Sequence, residues 1–180
     1  MTETKSRILF VGCGRGEEIA AFEDDESEIV GLEPSRECIE DAKKKLSCRH
    51  NVSFLKDSLY GYMGGGYDVI YSVFPAPPML ILKEDAFAER IRGLLNEGGC
   101  FTLYSEIWSD NGNTAMLISC ERLKHCFSAS GMMTAERILD YEELPKFVRG
   151  SGFLRRADKD TPLRFRELIA RLPNESDGKQ

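Results

Sequence analysis

No stretch of this 180-residue chain approaches the ~20 consecutive apolar residues that a membrane-spanning helix needs. Its opening, MTETKSR, runs straight into a strand-like segment without the apolar core of a secretory leader. A membrane protein is not expected. Histidine is scarce too: around His50 and His125 stand Cys48, Cys120 and Cys126, but none repeats the paired C-x-x-C spacing of a zinc site, so no metal is expected. The six cysteines, which also include Cys13, Cys38 and Cys100, are scattered through a chain whose 42% apolar content can form a core without cross-links. They read as reduced thiols in a cytoplasmic protein. Positive charge is in deficit, 24 Lys and Arg against 30 Asp and Glu, and the net charge of −6 repels a phosphate backbone at long range. Strong nucleic-acid binding is not expected, and the basic clusters Lys43 to Lys45 with Arg49, and Arg155 with Arg156, read as solvated faces.

What is present is an alternation of short apolar runs with amphipathic stretches, the pattern of strands joined by crossover helices in a mostly parallel sheet. The length suits one domain, placed at residues 1–172 with a tail at 173–180. Strands are expected at RILFVG, SEIVGLE, NVSFLKD, YDVIYSVF and CFTLYSE, with YDVIYSVF central because it is apolar on both faces. Helices are expected at GEEIAAFEDD, at SRECIEDAKKKLS with Ser35 as N-cap, and at EDAFAERIRGLL, closed by the NEGG turn. Glu17 and Glu18 fall in the first turn of the first helix, where its dipole favours negative charge. Residues 106–140 are less regular and read as an insertion or lid above the sheet, with AMLISCERLKHCF amphipathic and SASGMM a break. DYEELPKFVRGSG reads as a proline-bearing helix. FLRRAD and RFRELIAR suit a terminal antiparallel strand pair, although LRFRELIARL also fits a helix.

The first strand ends in three glycines at alternate positions, Gly12, Gly14 and Gly16, with Cys13 between the first two. A strand, a glycine turn and then a helix bring backbone against a ligand at the carboxyl edge of such a sheet. The neighbouring strand ends carry carboxylates. Glu33, followed by Pro34, suits ribose hydroxyls, and Asp57, followed by Ser58, suits an adenine amino group. The G-x-G-x-G spacing differs from the G-x-G-x-x-G of nicotinamide-binding enzymes, which ranks an oxidoreductase lower.

These segments resemble the class I S-adenosylmethionine-dependent methyltransferases over nearly the whole chain. FVGCGRG looks like that family's first motif, VGLEPSRECIEDAKKKL its second strand and helix, and VSFLKDSL its adenine segment. YDVIYSVF is similar to its fourth strand, and IRGLLNEGGCFTLY to the helix, turn and fifth strand that follow. The resemblance implies a Rossmann-like fold and S-adenosyl-L-methionine as cofactor. It implies that Gly12, Gly14 and Gly16 meet the methionine part and ribose, Glu33 the ribose, Asp57 and Ser58 the adenine, and Ser72 to Phe74 the reactive side. One departure stands out: the family often has an acidic residue two positions before the first glycine, and this chain has Phe10. A contact to the cofactor's amino group is then missing or supplied from elsewhere. An aminopropyl transferase would share the fold, but its acidic polyamine site is not recognisable.

Methyl transfer from an activated sulfonium needs alignment and exclusion of water rather than a dedicated nucleophile, so no catalytic signature names the acceptor. Tyr60, Tyr62, Phe74 and Trp108 are candidate wall residues, or ordinary core and lid packing. The FPAPP run lacks the polar residue directly before its proline pair that nucleic-acid amino methyltransferases use, and reads as a rigid loop. The insertion's Trp108, Met116, His125, Met132 and Met133 suit a modest, partly apolar acceptor, so a small-molecule substrate is expected. A non-catalytic partner module of the same fold, or a tRNA or protein methyltransferase, are the alternatives.

Overall fold

The computed structural model describes residues 5–73, 84–107, 120–151 and 164–174. Among the described residues seven strands form one sheet: β1 (Arg7–Val11), β2 (Glu28–Leu32), β3 (Val52–Leu55), β4 (Tyr67–Val73), β5 (Leu95–Ile107), β6 (Met133–Asp140) and β7 (Arg164–Arg171). Their order is β3-β2-β1-β4-β5-β7-β6, parallel from β3 to β5, with β7 antiparallel to both β5 and β6. The helices are α1 (Glu17–Ala21), α2 (Arg36–Lys45), α3 (Glu84–Leu94), α4 (Cys120–Ala129) and α5 (Lys146–Arg149).

β4 lies at the middle of the sheet, where its apolar sequence places it. One face packs Leu9, Val11 and Ile70 against Phe87 and Ile91 of α3 and Leu123 and Phe127 of α4. The other packs Ile8, Phe10 and Ile29 against Ile19 of α1, Ile39 and Ala42 of α2, and Phe147 and Val148 of α5. On α2, Ser35 accepts the N–H of Cys38 at 3.4 Å, the expected N-cap, and the three lysines close the last turn.

The first helix is only five residues long, and the short α5 completes the cover beside it. Phe147 sits 5.2 Å from Phe22 and 5.1 Å from Tyr71, ring centre to ring centre, and Phe10 is 5.4 Å from Phe22. This edge-and-tilt packing of aromatic rings does the work of a longer helix. Phe10 is thereby committed to the core.

Several expectations need revision. The 106–140 segment is not one unit: β5 runs to Ile107, residues 108–119 lie outside the described residues, 120–129 is α4, and 133–140 is the edge strand β6. The terminal antiparallel pair is β6 with β7, so RFRELIAR is a strand and its described partner is not FLRRAD, which lies outside the described residues. Pro145 splits the expected helix into a 3-10 turn at Tyr141–Glu143 and α5, since its ring cannot continue a helical ladder. In NEGG, Gly98 is left-handed at φ +71, but it serves the irregularity where β4 and β5 change register, after α3 has run directly into β5. Arg49 is no solvated side chain: it is half-buried and donates to the carbonyls of Ile19 at 3.0 Å and Phe22 at 2.8 Å, tying α2's exit to α1.

Candidate cofactor and acceptor site

The carboxyl ends of β1, β2, β3 and β4 converge on the glycine turn. Gly12, Gly14 and Gly16 all take left-handed conformations, φ +72, +50 and +75, which L side chains rarely adopt. The turn hangs on the next strand, with Gly12 N–H and Cys13 N–H donating to the carbonyl of Leu32 at 2.8 and 3.2 Å. The two later glycines serve different ends. A Cβ on Gly16 would meet Ala42 Cβ at 3.2 Å and Leu46 Cδ1 at 3.3 Å, so this glycine lets α1 start against α2. A Cβ on Gly14 would meet nothing within 4 Å, so Gly14 lies in open space.

Glu33 is the clasp of this turn. One carboxylate oxygen accepts the N–H of Gly14 at 3.2 Å and the other the N–H of Ser35 at 2.9 Å, joining the turn to the start of α2. Lone pairs remain for further donors. Pro34 beside it is exposed. Cys13 contributes only backbone here: its side chain is buried, and burial pushes its thiol far above the usual range. Arg15, between the later glycines, pairs with Glu37 at 2.6 Å and with Asp41, strapping the turn to α2.

Beyond β3, Asp57 accepts the N–H of Ser58 at 2.7 Å, and Ser58 Oγ accepts the N–H of Gly61 at 3.1 Å. The loop is pinned from α3, where Arg90 Nε donates to the carbonyl of Leu59 at 2.9 Å. Ser72 lies next to Val11 on β1 and Leu103 on β5. It is 1% exposed and its hydroxyl has no hydrogen-bond partner. A buried orphan hydroxyl one residue short of the strand end is what a missing polar ligand would leave. The open Gly14, the glycine-bound carboxylate and this hydroxyl together fit a nucleoside-type cofactor with donors and acceptors at both ends.

Glu18 was legible only as a dipole partner. In the fold it is a half-buried carboxylate, and burial raises its pKa to about 7. Hydropathy alone does not flag such a residue, since its desolvation comes from neighbours far along the chain.

Among the described residues the expected acceptor side chains do not come together. Phe74, the FPAPP loop, Trp108 and Met116 lie outside the described residues. Met132 is core, and Met133 pairs with Arg171, itself opposite Cys100, at the sheet edge away from the glycine turn. His125 is exposed on α4. Tyr62 also lies away from the site, its hydroxyl bonded to that of Tyr67 at the start of β4, whose ring sits 4.8 Å below the Arg7 guanidinium. Tyr60 packs on the α3 side of the core with its hydroxyl unpartnered. Among the described residues no three His, Cys, Asp or Glu side chains gather as metal ligands, and no helix is long and apolar enough to cross a membrane.

Solved structures share this architecture. The 16S rRNA methyltransferase KamB superimposes with a TM-score of 0.74 at 18% identity, over 96% of this chain and 90% of that one. A variant 16S rRNA adenine-N1 methyltransferase from Catenulisporales acidiphilia, solved with cosubstrate SAM, gives 0.74 at 15% identity, over 96% and 88%. The cyclase SpnF gives 0.67 at 18% identity, over 96% and 76%. Among curated proteins none matches the chain by sequence. The sequence profile of the methyltransferase domain matches residues 8–99, just over half the chain and the span from β1 to the irregular start of β5 that carries the glycine turn, Glu33, Asp57 and Ser72. The chain belongs to the class I S-adenosylmethionine-dependent methyltransferase family, and S-adenosylmethionine is its cofactor.

Proposed function

We propose that this methyltransferase acts on a small-molecule acceptor bound above the carboxyl edge of β4 and β5. The cofactor is held by the backbone of Gly12, Cys13, Gly14 and Gly16, by Glu33 with Pro34 on the ribose side, by Asp57 and Ser58 on the adenine side, and by Ser72. Phe74 belongs to the same reading but lies outside the described residues. The observation that carries it is Gly14, left-handed, open, and tied through its N–H to the Glu33 carboxylate. When bound, the cofactor supplies an already activated methyl group. The chain's part is then to hold the adenosine end rigidly through the strapped turn and the Arg90-pinned loop, so that an acceptor approaches in a fixed geometry.

A second reading, methylation of ribosomal RNA, is favoured by the shared fold of KamB and the adenine-N1 enzyme. Against it stands the net charge of −6. Calorimetric titration with S-adenosylmethionine and S-adenosylhomocysteine tests cofactor binding. Transfer of labelled methyl into a small-metabolite extract or into small ribosomal subunits then decides between acceptors. Label in the metabolite fraction is expected. Label in 16S rRNA at low enzyme concentration would replace the small-molecule reading, and cofactor binding without transfer to either would favour a non-catalytic module.

A further inference from the structure

Three of the five residues from Gly12 to Gly16 are left-handed glycines, and glycine gives up more backbone freedom on ordering than any other residue. The turn therefore needs anchors from outside to keep one shape. At its base these are backbone bonds, from Gly12 and Cys13 N–H to the Leu32 carbonyl and from Gly16 N–H to the Cys13 carbonyl at 2.8 Å. At its tip, a Cβ on Gly14 would meet nothing within 4 Å, so packing gives no help on that side. The tip is held instead by two side chains that lead to α2, Glu33 through the Gly14 and Ser35 N–H groups and Arg15 through ion pairs.

The α2 side of these ion pairs is a stripe. Glu37, Asp41 and Lys45 recur every four residues, which brings them onto one face of the helix. Their partners are the two residues that flank Gly16. Arg15 donates to Glu37 at 2.6 Å through Nη2 and to Asp41 through Nη1, and Lys45 donates to Glu17 at 2.8 Å. The order of charges fixes the register, since sliding α2 by one turn would put Lys45 where Asp41 stands, against Arg15.

We propose that Arg15 is a positioning residue for the cofactor: its guanidinium, forked between Glu37 and Asp41, holds the glycine turn in the shape that binds S-adenosylmethionine, without itself touching the ligand. The proposal rests on the glycine turn being the cofactor site. The side chains of Arg15, Glu37 and Asp41 are 49%, 76% and 36% exposed, so the pairs contribute little to global stability. The equilibrium they bias is local, between one binding shape and the many others open to a glycine-rich tip, and apparent affinity scales with the fraction in the binding shape. Exposure also makes this strap sensitive to salt, unlike the backbone bonds at the base of the turn.

The test is titration of the full chain with S-adenosylhomocysteine at about 0.05 M and about 1 M salt, the upper value shortening the screening length to ~3 Å. At low salt Arg15→Gln should bind about threefold to tenfold more weakly than the wild type, and at high salt the two should agree within about twofold. Arg15→Glu, which sets three carboxylates together, should be weaker still. Combining Arg15→Glu with Glu37→Arg and Asp41→Arg rebuilds the strap with its charges reversed, and should restore low-salt affinity to within about twofold of the wild type. Arg92→Gln removes the same charge from an exposed pair with Glu89 on α3 and should leave affinity unchanged. The melting temperature of Arg15→Gln should stay within about 4 °C of the wild type, as exposed pairs predict. The proposal is overturned by low-salt binding of Arg15→Gln within twofold of the wild type, by an equal loss in Arg92→Gln, or by a loss that persists at high salt. It is also overturned if the charge-reversed triple variant binds no better than Arg15→Glu, which would mean that the guanidinium meets the ligand's carboxylate directly. Absence of S-adenosylhomocysteine binding by the wild type would instead remove the cofactor-site reading beneath it.

Discussion

Gly16 stands against Ala42 so closely that a side chain on Gly16 would begin 3.2 Å from the alanine methyl, while two residues earlier Gly14 faces nothing within 4 Å. The same kind of substitution should therefore separate two effects. Gly16→Ala combines a strained φ of +75 with crowding from α2, and should cost about 2 kcal/mol of folding stability. Gly14→Leu keeps its side chain in open space and costs only about 1 kcal/mol of backbone strain, but on the proposed reading it stands where the cofactor comes. Thermal melts should single out the Gly16 variant, and S-adenosylhomocysteine titration the Gly14 variant.

Glu33 works on both sides of the turn. Glu33→Ala frees the N–H groups of Gly14 and Ser35 and removes the proposed acceptor for ribose hydroxyls, so cofactor affinity should drop by about 1–3 kcal/mol. Glu33→Gln keeps the side chain's length and one acceptor, and should lose less. Equal losses for both would show that charge, not acceptor geometry, is what the site uses.

Glu18 makes stability depend on pH in a direction opposite to most carboxylates. Its pKa rises from 4.5 unfolded to about 7 folded, so between those values the native state holds the extra proton and stability declines as pH increases. The full effect is at most about 3.4 kcal/mol at 1.36 kcal/mol per unit. Urea unfolding of the wild type at about pH 5 and pH 8, against Glu18→Gln, isolates this contribution. The difference between the two proteins should grow toward pH 8, where the wild type must bury the charge.

On the face of the sheet that α1 and α5 cover, Glu167 is 4% exposed and accepts from Tyr104 at 2.8 Å and from Arg137 at 2.6 Å. Arg137→Met leaves the buried carboxylate with only the tyrosine and should cost about 3 kcal/mol. Tyr104→Phe, which keeps the ion pair, should cost about 1.5 kcal/mol. Chemical denaturation of the two single variants and the double variant should show losses that do not add, since both partners bond the one carboxylate of Glu167.

The glycine turn, Glu33, Asp57 and the five parallel strands were readable along the chain because each depends on local spacing: a strand's apolar run, the turn residues that end it, a carboxylate at the next strand end. Ser35's cap and α2's charge order are local in the same way. The orphan hydroxyl of Ser72 was expected at the site, but its burial arises only when Val11 and Leu103 close on it from both sides. RFRELIAR satisfied both periods, and only pairing with β5 and β6 made it a strand. Met132 and Met133 looked available to an acceptor until the direction of β6 carried them to the other edge. Glu18 read as an ordinary dipole partner until packing of α1 desolvated it, because burial of a charge is a property of what surrounds it in space and leaves no trace in its neighbours along the chain.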